Sequence, residues 1–478
     1  MSSQSPHPAS SVHELRAAAR RQARGFPMGL TLLASTGLAA LSIAVFAVLD
    51  YRFHQDPHRI VKLMLGLSLV GAIVAMPMIG FTLMPIATPF LPWMPKLPIP
   101  GMNALNVLLF VVFGSWALGR VTRKLDVFRP SRLGTTIGWL LLIAALSIVR
   151  GGAFPTGYTY HVGEAVYALV RSSATFAVYF IGLAMARGEK ARRRLSWAIV
   201  IGLMAEAAVT AAYGRSGRGQ RAVGSFGQSN ELGAYLAMFT AFSAAMIPGT
   251  RNLLGRATLL GALLLGSFGV LLSVSRGAIL ALAASLLFVG LRSSRVLTAL
   301  LLVALVSSPL WVPDYVIHRI TGSRIETEDE EGRLEGSAQI RIDTWHAIAT
   351  LVSNHPLEGV GFAGLGYVLP ETGAELGIEV KDSAHNTYLR FVGEMGVIGL
   401  SLFLMLLWGC ARLSADATRL ARTRFDRQLA VGFGAATLAM AISCVFGDRF
   451  FSILITGNFW MLAALVNDSL LDRPQGTA

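Results

Sequence analysis

Long apolar runs recur along almost the whole chain, and no other feature restricts its possible folds as strongly. Residues 28–49, 195–213 and 257–274 are examples, each approaching the roughly 20 apolar residues that a helix needs to cross a bilayer. Only 14% of the residues are charged, whereas a soluble domain carries about a quarter. The sequence therefore predicts an all-α, polytopic integral membrane protein.

The number of transmembrane helices follows from these runs and from the charges between them. Thirteen runs can be counted, at 28–49, 60–91, 101–119, 134–149, 165–186, 195–213, 230–248, 257–274, 277–291, 296–312, 388–410, 428–446 and 450–467. The run at 60–91 contains Pro77, Pro85 and Pro89, and because prolines interrupt helices it can hold two short spans or one span with a re-entrant piece. We predict about 12–14 transmembrane helices.

Basic residues are concentrated in short loops, at 16–24, 120–132, 187–194 and 412–427. This bias marks cytoplasmic loops, and it accounts for much of the net charge of +14 without nucleic acid as a partner. The alternation of loops then places the longest polar segment on the outer side. The predicted organisation is a cytoplasmic N-terminal tail (1–27), an N-terminal transmembrane bundle (28–312), a large periplasmic loop (313–387), C-terminal transmembrane helices (388–467) and a C-terminal tail (468–478).

A glycine-rich outer loop carries three arginines against this charge bias. They are Arg215, Arg218 and Arg221, and the segment 224–232 follows them. A guanidinium offers a planar set of donors that suits phosphate oxygens, and glycines let backbone N–H groups approach an anion. A helix predicted to begin near Ser229 would also point its positive end outward. The loop suits a diphosphate headgroup, although arginines that bind lipid headgroups nonspecifically would give the same pattern.

A second segment, 273–278, carries Arg276 between two apolar runs. A charge at this depth is costly, so its side chain either faces a polar cavity or snorkels to the membrane surface. A third segment has helical spacing around Arg341, and a stretch containing Pro and Gly at 356–361 ends it. Arg341 can contact an anionic substrate, or it can pair with Asp343 or Glu335.

His385 lies where the chain re-enters the membrane after the long polar segment. Asp382 or Ser383 is predicted to cap the helix that begins here, so that His385 projects from its first turn. Histidine is the natural general base near neutral pH, but a lone histidine is more often structural. Further along, Asp448 and Arg449 are predicted to form a local pair in a tight turn between two spans.

Other polar features give weaker signals. The outer loop at 151–164 contains residues that could stack on sugars, namely Tyr158, Tyr160, His161 and Glu164. An acidic cluster at 326–335 is predicted to be a solvated loop apex, because it lacks the ligand spacing of a calcium loop. Glu206 is the main acidic residue deep in an apolar run. No P-loop, HExxH, CxxC pair or dinucleotide fingerprint is present, so no cofactor or metal is predicted.

Four of these segments, in this order, resemble the O-antigen ligase and polymerase superfamily of membrane glycosyltransferases. They are Arg221 with 224–232, 275–278, 341–345 with 356–361, and 384–389, with a long outer loop before the last. The resemblance covers roughly residues 195–410, while the first 150 residues are similar only in being membranous. Each motif is short, and the combination is specific.

The resemblance implies a glycosyltransferase of the bacterial inner membrane, with its active site on the periplasmic side. The implied donor is a glycan on undecaprenyl diphosphate, used without ATP, cofactor or metal. Arg221 and Arg276 would hold the diphosphate, and His385 would activate the acceptor hydroxyl for attack on C1 with inversion. Further candidates for diphosphate binding, ranked after these two arginines, are Arg215, Arg218 and Arg341.

The acceptor stays open at the level of sequence. A ligase hands the glycan to a lipid A core, whereas a polymerase hands it to another lipid-linked repeat unit. The predicted span count exceeds the family's usual number, and together with the acidic loop it favours a polymerase. Two alternatives of other classes are a flippase for lipid-linked oligosaccharides and a noncatalytic scaffold. The implied partners also include membrane lipids and polysaccharide assembly proteins.

Overall fold

The computed structural model describes residues 70–94, 104–122, 129–153, 160–213, 221–293 and 336–472, with isolated positions at 68 and between 298 and 307. The predicted first span at 28–49, Arg215, Arg218 and the acidic cluster lie outside these residues. Within the described ranges every regular element is helical and no strand occurs.

The described α-helices, numbered in chain order, account for most of these ranges. They are α1 (Pro77–Ala87), α2 (Ala104–Val121), α3 (Gly134–Ala153), α4 (Val162–Met185), α5 (Glu189–Tyr213), α6 (Ser229–Met246), α7 (Leu253–Ser273), α8 (Arg276–Ser293), α9 (Gly336–Asn354), α10 (Leu365–Leu376), α11 (Thr387–Leu420), α12 (Arg424–Val445) and α13 (Ile453–Leu471). Short 3-10 helices lie at Thr88–Trp93, Gly224–Phe226 and Ile247–Gly249.

Nine of the described helices are long and apolar enough to cross a membrane, namely α3 to α8 and α11 to α13. This confirms the prediction of an all-α polytopic membrane protein. The run predicted as a span at 388–410 is part of the longer helix α11, which continues to Leu420. The number of spans in the whole chain stays a prediction, because residues 28–67 lie outside the described part.

The chain divides into two compact units. The smaller contains Met1–Phe81 and Leu108–Val127, and the larger contains Thr82–Val107 and Phe128–Ala478. In the smaller unit the helical path is interrupted at Met76, directly before Pro77, because proline supplies no N–H and its ring clashes with the preceding turn. The structure therefore agrees with the expected proline interruption of this run.

The larger unit is built around α6, of which 89% of the span is buried. Small residues make this possible, because they let neighbouring helices approach closely. Gly266 of α7 lies against Thr240 of α6, and Gly432 of α12 lies against Phe242. The helix can therefore be surrounded on several sides by α7, α8 and α12, and the loops at its N-terminus are fixed to a rigid centre.

A charged cluster joins the ends of three helices in the larger unit. Arg192 of α5 is only 3% exposed, and its Nε lies 3.0 Å from Oδ1 of Asp426 at the start of α12. Its Nη1 lies 2.6 Å from Oδ2 of Asp468 near the end of α13. The basic segment at 187–194 therefore contains a buried structural arginine in addition to exposed charges.

Candidate functional site

The loop that precedes α6 is tied to the end of α7 through Arg221. Its Nε donates to the carbonyl of Ser273 at 3.0 Å, and its Nη2 donates to Oδ1 of Asn230 at 2.5 Å. The neighbouring N–H of Ala222 donates to the carbonyl of Leu272 at 3.0 Å. The structure thus brings the first two predicted segments together, with the Arg221 guanidinium half-buried at their junction.

The helix after this loop begins where the sequence predicts. α6 starts at Ser229, directly after Gln228 in extended conformation. Before it, the 3-10 turn at Gly224–Phe226 lies over α5, where the Ser225 N–H donates to Oε1 of Glu206 at 2.9 Å. The glycine-rich loop is therefore hydrogen-bonded both to the end of α7 and to Glu206, a buried acidic residue of α5.

Arg276 is the first residue of α8 and is partly exposed. The chain turns sharply before it, since Val274 has a φ of 48°. Gly277 faces the ring of Phe446, where a Cβ would clash. Arg276 begins α8 three residues after the end of α7. Arg221 contacts that same end of α7.

His385 lies before helix α11 rather than in its first turn, so the predicted cap is wrong. Asn386 is the N-cap, and its Oδ1 accepts from the N–H groups of Tyr388 and Leu389. The side-chain oxygen of an asparagine can accept from these N–H groups, just as that of the predicted aspartate or serine could. Ser383 instead donates its hydroxyl to Oδ2 of Asp448 at 2.6 Å.

The segment around His385 is also fixed to α9. The indole N–H of Trp345 donates to the carbonyl of Ala384 at 3.0 Å, and the N–H of Lys381 donates to Oγ1 of Thr344 at 3.2 Å. α9 carries Arg341 close enough to act on His385 electrostatically. The third and fourth predicted segments are thus also brought together.

The imidazole of His385 has a lowered pKa. Burial is the largest cause, because it disfavours the charged form, and the positive charges of Arg341, Lys381 and Arg449 act in the same direction. Asp448 opposes them and raises the pKa. With its pKa below the ordinary 6.5, His385 is neutral at pH 7 and can accept a proton.

The predicted pairing of Arg341 with Asp343 or Glu335 stays a prediction. Within α9, Oδ1 of Asp343 accepts from the side-chain amide of Gln339 at 2.9 Å. Glu335, the other predicted partner, lies outside the described residues. Arg341 is partly buried and lies close enough to His385 to lower the pKa of its imidazole.

Arg449, predicted only as part of a local pair, connects two parts of the site. It interacts electrostatically with Asp448 and also makes longer-range contacts that the sequence did not indicate. Its Nη1 lies 3.2 Å from Oε1 of Gln228 and 3.5 Å from Oε1 of Glu231. Its backbone N–H donates to Oγ1 of Thr387 at 3.2 Å. Arg449 is 5% exposed and so connects the start of α6 with the start of α11.

The Pro- and Gly-containing stretch after α9 packs against an interruption in α11. The N–H of Val360 donates to the carbonyl of Gly393 at 2.9 Å, and the N–H of Val397 donates to the carbonyl of Pro356 at 2.8 Å. Gly396 has a φ of 65°, which breaks the helical path of α11 at this point. The polar segment is therefore joined to α11 by backbone hydrogen bonds.

The aromatic residues predicted in the outer loop contact this same region. The hydroxyl of Tyr160 donates to the carbonyl of Phe362 at 2.7 Å. The rings of His161 and Tyr367 lie 4.6 Å apart, and the Tyr367 hydroxyl contacts Glu164. Tyr158 lies outside the described residues. These contacts dock α10 on the start of α4, and stacking on sugars stays a prediction.

Among the described residues no group of three or more His, Cys, Asp or Glu side chains could hold a metal ion. The donor set of the site consists instead of guanidinium groups, backbone N–H groups and one neutral imidazole. Guanidinium groups match the geometry and charge of phosphate oxygens, and a neutral imidazole can remove a proton. The fold and the site together define a polytopic membrane protein with a cationic, histidine-containing site.

The comparisons with known proteins agree with this class. Residues 261–404, which contain Arg276, Arg341 and His385, match the family model described as O-Antigen ligase. Over 80 residues the chain is 34% identical to "Putative polysaccharide ligase RP358" of Rickettsia prowazekii (strain Madrid E). That alignment covers 15% of this chain and 19% of the relative. The two matches support the O-antigen ligase superfamily, and they confirm the resemblance that the motifs indicated.

Proposed function

We propose that this protein is a glycosyltransferase that moves a glycan from undecaprenyl diphosphate to an acceptor hydroxyl at the periplasmic face of the bacterial inner membrane. The observation that carries the proposal is the joining of all four segments on one framework. Arg221 binds the end of α7, Arg449 connects the starts of α6 and α11, and Trp345 binds the segment of His385.

The arginines are proposed to hold the diphosphate of the donor. Arg221 and Arg276 flank the junction of the glycine-rich loop with α7 and α8, and Arg341 approaches from α9. Arg215 and Arg218 are proposed as additional contacts. Their charges stabilise the leaving group most when the C1–O bond breaks, because negative charge grows on the diphosphate at that moment.

His385 is proposed to be the general base. Its lowered pKa keeps the imidazole neutral, so it can take the proton of the acceptor hydroxyl as that oxygen forms a bond to C1. The bond from C1 to the diphosphate oxygen breaks in the same step, and the lipid diphosphate leaves with its electron pair. Attack from the opposite side inverts the configuration at C1.

Two acceptors are considered. We favour a lipid-linked repeat unit, which makes the protein a polymerase of surface or secreted polysaccharide, because the acidic loop and the predicted span count favour it. The second candidate is a ligase that joins the glycan to a lipid A core, which the description of the matching family model and the name of the Rickettsia relative favour.

The acceptor is tested by reconstituting the purified protein in vesicles with a lipid-linked glycan donor. A lipid A core and a lipid-linked repeat unit are offered as competing acceptors. A polymerase extends the repeat unit and leaves the core unchanged, whereas a ligase modifies the core. Transport of the donor across the vesicle membrane without any transfer would replace the enzyme by a flippase.

The proposed base is tested with His385→Ala in the same assay. A histidine base contributes about a hundred- to ten-thousand-fold to turnover, so kcat should fall by that order while the KM for the donor changes little. Arg221→Ala should instead raise the KM for the donor. Unchanged kcat and KM in both variants would contradict these two residue roles. In cells, a purely noncatalytic scaffold would instead support normal glycan assembly with either variant at equal protein levels.

A further inference from the structure

Glu206 is a buried acidic group to which the proposed transfer reaction assigns no role. It lies within the span formed by α5 and is 0% exposed. An ionised carboxylate in such surroundings is costly unless it is paired or fully hydrogen-bonded. Ser225, which belongs to the glycine-rich loop that also carries Arg221, hydrogen-bonds to Glu206, and the Thr210 side chain also interacts with it.

The Ser225 hydroxyl lies within hydrogen-bond distance of two acceptors, and the neutral acid is the state of Glu206 that lets both contacts form at once. The Ser225 hydroxyl oxygen is 2.5 Å from Oε2 of Glu206 and 2.6 Å from the carbonyl oxygen of Pro89. A hydroxyl has one hydrogen to donate, and a carbonyl oxygen can only accept. If the hydroxyl donates to Pro89, it must accept from Oε2, and Glu206 is then the neutral acid.

The backbone of the loop rests directly on this carboxyl group. Gly224 has a φ of 52°, and a Cβ at this position would collide with Oε1 of Glu206. The next residue donates its N–H to the same Oε1 at 2.9 Å. The side chain of Glu206 therefore sets the distance between the turn Gly224–Phe226 and α5.

We propose that Glu206, as the neutral acid, is a positioning residue that supports the glycine-rich loop and so orients Arg221 towards the donor diphosphate. The effect on donor binding rests on the proposed function, whereas the state of the carboxyl group does not. Glutamine should replace it well, because an amide oxygen still accepts from the Ser225 N–H and an amide N–H replaces the acid hydrogen.

The first test compares Glu206→Gln and Glu206→Ala in the reconstituted transfer assay. Glu206→Gln should keep the KM for the donor within about threefold of the wild type, whereas Glu206→Ala should raise it about tenfold or more with a smaller change in kcat. Glu189→Ala, which removes a partly exposed acid from the same helix, is the matched control and should resemble the wild type. Equal impairment of both Glu206 variants, or impairment of neither, would overturn the proposal.

A second test does not depend on activity. The infrared difference spectrum of wild type minus Glu206→Gln should contain the C=O stretch of a protonated carboxylic acid, and wild type minus Glu189→Ala should not. Absence of that band from the first difference spectrum would overturn the neutral-acid proposal. If the wild type transfers no glycan but the band is present, the proposed function fails while the assignment of Glu206 holds.

Discussion

At the scale of single residues, the backbone around His385 is held by contacts on both sides of it. Its φ is 47°, a conformation that costs a non-glycine residue about 1–3 kcal/mol and persists only where its surroundings impose it. Trp345 binds the preceding carbonyl, and Asn386 directly after it caps α11. The position of the imidazole therefore depends on contacts from two separate helices, α9 and α11.

The pH dependence of activity should reflect the lowered pKa of His385. The neutral imidazole is the active base, so activity falls as the pH drops through its pKa, and the acidic midpoint of kcat/KM should lie below the ordinary 6.5. Lys381→Met removes one of the positive charges that lower this pKa. The variant's acidic midpoint should therefore move to higher pH.

This prediction is checked by measuring kcat/KM between pH 5 and pH 8, a range of about 3 units around the ordinary histidine pKa. Asp382→Asn, which changes an exposed carboxyl nearby in the chain, is the control. A midpoint that moves to lower pH in Lys381→Met would contradict the assignment of His385 as the base.

The candidate site residues could be singled out from sequence, but their structural partners could not. Arg221, Arg276 and His385 are recognisable because arginines in an outer loop and a histidine at a membrane entry are unusual for local reasons. Arg449 is invisible in this way. Its partners Gln228 and Glu231 lie more than 200 residues earlier, and only the packing of α6 beside the 447–449 turn brings them together.

At the scale of elements, the interruption of α11 depends on one glycine. Gly396 has a positive φ, and a Cβ there would collide with the carbonyl of Leu357. Gly396→Ala should therefore destabilise the protein by at least the roughly 1–3 kcal/mol that such backbone strain costs, with further loss from the collision. The apparent melting temperature of the purified protein should fall.

Gly138→Ala is the matched control for this variant. Gly138 lies within α3, and nothing lies within 4 Å of the position of its Cβ. Alanine is a better helix former than glycine by about 1 kcal/mol, so the melting temperature should stay the same or rise. Equal melting temperatures for Gly396→Ala and the wild type would show that α11 does not need this interruption.

The cluster that joins α5, α12 and α13 should contribute to stability through Arg192. Arg192→Ala leaves Asp426 and Asp468 buried without this partner, and breaking a buried ion pair from one side costs about 3–5 kcal/mol. The neighbouring Arg193→Ala removes an exposed pair with Glu189, worth about 0–1 kcal/mol, and a cation–π contact with Phe425, worth about 0.5–1 kcal/mol at an exposed site. Thermal unfolding should separate the two variants clearly, and similar melting temperatures would contradict the structural role of Arg192.

The membrane-spanning helices could be predicted because an apolar run indicates a span through its own residues alone. The start of α6 at Ser229 follows from local signals of this kind. The length of α11 does not, because its last three turns are polar on one side and continue past the apolar run. The break at Gly396 is set by docking with the 356–361 stretch, which no local pattern of α11 reveals.

At the scale of the whole molecule, the sidedness of the membrane protein can be tested with cysteines. Both native cysteines, Cys410 and Cys444, are 0% exposed, so the wild type should stay unlabelled by a membrane-impermeant maleimide. Asp382→Cys lies in the predicted periplasmic loop and should be labelled in intact spheroplasts. Arg193→Cys lies in a predicted cytoplasmic loop and should be labelled only after permeabilisation. The reverse pattern would place the proposed site on the cytoplasmic side.

The hydrogen bond from Trp345 to Ala384 gives the protein an intrinsic optical reporter. Indole emission responds to the loss of a hydrogen bond and to contact with water, and the carbonyl that this ring binds belongs to the residue directly before His385. Replacing the other seven of the eight tryptophans would leave a chain whose fluorescence reports when the histidine segment shifts as a lipid-linked sugar arrives and departs.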